Sequence, residues 1–78
     1  MLMKWVTDFC TRDGTGFEIV REAVLGANRQ KEDLRYTLRV IRDMGDVEAE
    51  FLKEELLEAQ MYALKKYGVP LGAWELHL

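Results

Sequence analysis

One cysteine, one histidine and one proline stand among 78 residues, and each scarcity excludes something. With Cys10 alone there is no internal disulfide, and Cys10 with His77 makes no Cys/His zinc framework. Before Pro70 no proline breaks the chain. No apolar run approaches the ~20 residues that cross a bilayer. The opening MLMKWVTDFCTRDG is interrupted by Asp8, Arg12 and Asp13, and no small-residue cleavage site follows, so no signal peptide is expected. The expected location is the cytoplasm, with no membrane contact. A net charge of −3 gives no general attraction to nucleic acid or anionic lipid. Asparagine and glutamine total three, a composition with a faint thermophilic cast. Internal repeats and low-complexity linkers are also missing.

What is present is 49% hydrophobic and 32% charged, the balance of a globular chain. A chain this short forms one domain, 1–78, and buries only about 60% of its unfolded surface. Leu2, Trp5, Val6, Phe9 and Cys10 recur at helical spacing and predict a short N-terminal helix, although Trp, Val, Thr and Phe also suit a strand. Asp13-Gly14 then signals a stop or turn. In TGFE, Thr15 can cap a helix and Glu18 complete a capping box. Apolar residues at 17, 20, 24, 27, 34, 38 and 41 keep a three-and-four spacing. They predict one long helix over 16–44, weakened at Gly26 and Asn28. Gly45 ends it, and Asp46 with Glu48 opens the next. That third helix is expected to run to Tyr67, with Lys65 and Lys66 in its last turn and Gly68 and Pro70 beyond. The tail VPLGAWELHL reads as an extended arm, with Trp74 expected to pack near Phe17. The expected fold is all-α: a long antiparallel helical hairpin, a short N-terminal helix and an extended C-terminal arm.

Lys31, Arg35, Arg39 and Arg42 form a basic stripe, followed by Glu48, Glu50, Glu54, Glu55 and Glu58. A hairpin turning near Gly45 brings the two halves together, so the stripe is expected to be neutralised at the edges of the apolar seam. The alternative is a nucleic-acid-binding regulator using those four basic residues. A helix-turn-helix centred on Gly26 fails, because Glu32 and Arg35 fall where the second helix needs apolar residues.

No catalytic set converges on the sequence. Cys10 reads as a small core residue. Glu50, Glu54 and Glu58 lack the Glu-x-x-His of a di-metal bundle. DGTG lacks the GKS or GKT half of a phosphate loop. The expected function is therefore non-enzymatic, with no cofactor and no metal. More apolar surface is present than two helices can bury, and such surface marks an interface. Phe51, Tyr62, Leu57, Tyr36, Val40 and Trp74 are the candidates for binding a protein partner, most simply a second copy in a homodimeric bundle.

Overall fold

The computed structural model describes residues 3–25, 32–42, 45, 47–53 and 55–77, and for 23–25, 32–34 and 48–53 the backbone alone. Among the described residues five strands form one antiparallel sheet: β1 (Met3–Thr7), β2 (Gly16–Leu25), β3 (Glu32–Ile41), β4 (Val47–Lys53) and β5 (Trp74–His77). Their order is β4-β3-β2-β1-β5. One helix, α1 (Leu56–Tyr67), and a 3-10 turn (Leu71–Ala73) carry the chain from β4 at one edge to β5 at the other.

The expected all-α hairpin is thus overturned. Residues 3–7 are a strand rather than a helix, and 16–25 and 32–41 are two strands rather than one long helix. Gly26, Asn28, Lys31 and Asp46 lie outside the described residues. The segments also carry a strand-like alternation. Along β3, Tyr36, Leu38 and Val40 alternate with Arg35, Thr37 and Arg39, and the segment is rich in the aromatic and β-branched types that fit a pleated surface. In a strand the three-residue steps of the apolar series change face and the four-residue steps do not. Phe17 and Val20 accordingly fall on opposite faces. Glu18 makes no capping box; it pairs with Arg39 across the sheet.

The chain reversals fall where local chemistry placed them. Gly14 and Gly45 both have positive φ, +86° and +87°. The Gly45 N–H donates to the Arg42 carbonyl at 2.9 Å and closes the β3–β4 turn. The antiparallel pairing around Gly45 also exists, between strands, with Leu38 opposite Phe51 and Ile41 opposite Val47. A bulge at Leu38/Arg39 separates these two registers. The end of α1 is as expected: Gly68, φ +80°, donates to the Leu64 carbonyl at 2.9 Å, and Val69 donates to the Ala63 carbonyl at 3.3 Å.

One sheet face and the inner side of α1 make the core. Phe17, Ile19, Leu38 and Val40 meet Ala59, Ala63 and Val69. The two alanines let the helix approach the strands closely. Aromatic rings close the rim, with Phe17 centred 4.8 Å from Tyr67 and 6.2 Å from Phe9, and Trp5 5.6 Å from Tyr36. The tail is not a free arm. Val69 is fully buried, Trp74 packs against the same cluster as Phe17, and β5 pairs with β1 from Lys4↔His77 to Thr7↔Trp74.

Candidate partner-binding face

At 3.6 residues per turn, the twelve residues of α1 divide cleanly. Ala59 and Ala63 point into the core, with Leu56, Tyr62 and Tyr67 beside them. Leu57, Met61 and Leu64, at i, i+4 and i+7, lie on the other side. Leu57 is 58% exposed, the most open of the large apolar side chains among the described residues. A cleft of about 410 Å3 runs along this side, lined by Glu55, Leu57, Glu58, Met61, Tyr62 and Lys65. Its middle is apolar and its ends carry opposite charges. Glu58 stands in the first turn and Lys65 in the last, each favoured there by the helix dipole. The Lys66 ammonium lies 5.4 Å from the ring centres of both Tyr62 and Tyr67.

Two of the residues proposed from sequence as a partner surface, Leu57 and Tyr62, come together in this cleft. Three others do not reach it. Val40 is fully buried between sheet and helix, Tyr36 packs on Trp5, and Trp74 is half-buried against the core. Tyr36 and Val40 looked surplus because a helix would have pointed them away from the seam, whereas strand alternation turns both inward with Leu38. The Phe51 side chain lies outside the described residues. Met61 and Lys65 were missed by sequence reasoning, although their spacing of four and eight residues from Leu57 was the available signal.

The basic stripe is dispersed. Arg39 binds Glu18 through Nη1 and Oε1, and Arg35 stands in register with Glu22. Both pairs lie on the sheet face away from α1. Arg42 is past the end of β3, and Lys31 lies outside the described residues. Arg39 and Arg35 therefore stand against carboxylates of β2, whereas the expected pairing was with the acidic residues following Gly45, of which the side chains of Glu48, Glu50 and Glu54 lie outside the described residues. Glu50 is in β4 and Glu58 in α1, so they share no helix face.

Arg42 lines a second cleft, about 380 Å3, with Thr11, Arg12, Asp13, Thr15 and Tyr67. Asp13 organises it. Its Oδ1 accepts from the Thr11 hydroxyl, from the Thr15 hydroxyl at 2.9 Å and from the Thr15 N–H at 3.2 Å. The Thr11 hydroxyl, then the Thr15 groups, hold the Asp13 carboxyl below its ordinary value of 3.8. The chemistry is that of a knotted β1–β2 loop. Three separate segments build this cleft, so no local motif announced it.

Among the described residues, no group of three or more His, Cys, Asp or Glu side chains is placed to hold a metal ion, and no helix is long and apolar enough to cross a membrane. No protein-family model matches the chain, and neither a curated protein nor a solved structure matches it.

Proposed function

We propose that this is a non-enzymatic interaction protein of the cytoplasm, which binds a protein partner through the outer face of α1. The observation that carries the reading is the cleft beside Leu57. An exposed leucine alone needs no partner, since much of any protein surface is apolar. Here Leu57, Met61 and Tyr62 are contiguous along one helix side and rimmed by charges, the arrangement of an apolar interface centre with a polar rim. Nucleic-acid binding through the arginines has less support, because Arg39 is already held by Glu18 and Arg35 stands opposite Glu22.

The test is photo-crosslinking in cells that express the protein. A benzophenone amino acid at Leu57 is expected to give protein adducts, and the same group at exposed Glu75 in β5 is not. Equal labelling from both positions, or none from Leu57, would remove the reading.

A further inference from the structure

We propose that the outer face of α1 docks on the same face of a second copy of this chain, the two helices running antiparallel about a twofold axis near Met61 and Tyr62. This rests on the reading of that face as a protein-binding surface and names its occupant. The argument is self-complementarity. Glu58, Met61, Tyr62 and Lys65 stand at i, i+3, i+4 and i+7, along one flank of the helix. When two identical helices pack antiparallel, residues of the same flank meet. A twofold axis between positions 61 and 62 sets Glu58 opposite the partner's Lys65 and Met61 opposite the partner's Tyr62. Leu57 then falls beside the partner's Leu64 on the other flank. Each charge pair forms twice, because the contact is isologous.

Parallel packing would set Glu58 beside the partner's Glu58 and Lys65 beside the partner's Lys65, so the charges select the antiparallel arrangement. Glu55, Glu58 and Lys65 are exposed, which leaves them accessible for such pairing. An unrelated partner would need the opposite charge order by coincidence, whereas a second copy supplies it by symmetry. A helix of twelve residues spans roughly 18 Å, so the contact is at the small end of specific interfaces and the association is weak.

Sedimentation equilibrium on the purified chain, from about 5 to about 500 µM, reads this directly. The apparent mass is expected to rise from 9.1 kDa to twice that value. Glu58→Lys alone and Lys65→Glu alone should each weaken the dimer by about tenfold or more, since both charge pairs become repulsive. Mixing the two variants in equal amounts should restore association, because each then carries the charges the other lacks. The double variant should dimerise like the original chain. Geometry has its own check: in a Cys10→Ser background, Met61→Cys near the axis should form a disulfide-linked dimer under mild oxidation, and Leu57→Cys should not. A chain that stays at 9.1 kDa at the highest concentration overturns the proposal, as does a dimer indifferent to charge reversal and to mixing. If crosslinking from Leu57 still captures other proteins while the chain is monomeric, the occupant is wrong and the binding face stands. If both experiments are blank, both ideas fall.

Discussion

Replacing Ala63 by leucine tests whether the α1–sheet contact is the centre of this fold. Ala63 is fully buried and lies with Ala59 against the sheet residues of the core cluster. Leucine adds three carbons at a fully buried position of the helix–sheet core. Overpacking of this kind costs about 1–3 kcal/mol. The helix itself is indifferent, because leucine and alanine have similar helix propensity. Any loss therefore reports helix-on-sheet packing. A chain of 78 residues has a total stability of roughly 4–12 kcal/mol, so the change is a substantial fraction. At about 4–8 °C per kcal/mol, a loss of about 2 kcal/mol lowers the melting temperature by roughly 8–16 °C. Met61→Leu on the outer side of the same helix conserves volume and should shift it little, about 2–4 °C at most. Thermal unfolding followed by circular dichroism at 222 nm gives both numbers. Equal melting temperatures for Ala63→Leu and the parent chain would refute the close approach of α1 to the sheet.

Two further outcomes follow from the loop and the tail. Asp13 has its pKa lowered in the folded protein, so the stability it contributes is complete above about pH 5, the unfolded carboxylate range, and is lost as pH falls through the lower folded value. Urea titrations at pH 6 and pH 3 should show a loss of stability for the parent that is smaller in Asp13→Asn; identical pH dependence would contradict the role given to the Thr11–Asp13–Thr15 knot. Removing residues 70–78 takes away Trp74 and one of the two strands that pair with β1, and calorimetry should show a marked fall in melting temperature. An unchanged transition would mean that β5 contributes nothing to the sheet.

The turn and stop signals were decided within a few residues. Asp13-Gly14, Gly45 and the Gly68–Pro70 stop act through backbone preferences that no distant contact alters, and the reversals and the C-terminal end of α1 stand where the sequence puts them. Leu57 and Tyr62 were legible as neighbours on one element for the same reason, since both lie in α1, the one α-helix among the described residues. The state of residues 16–25 and 32–41 was not local. Phe17, Val20, Leu38 and Ile41 satisfy a helical spacing, while Phe17 with Ile19 and Leu38 with Val40 satisfy a strand alternation, so the period by itself does not choose. The choice came from pairing: β2 against β3, and β1 between β2 and a tail strand about seventy residues away along the chain. That pairing turned Val40 and Tyr36 inward, joined Arg39 to Glu18, and brought Thr11, Arg42 and Tyr67 to one cleft. Hydrogen bonds between distant strands have no signature in a short window of sequence, and only the folded sheet could supply them.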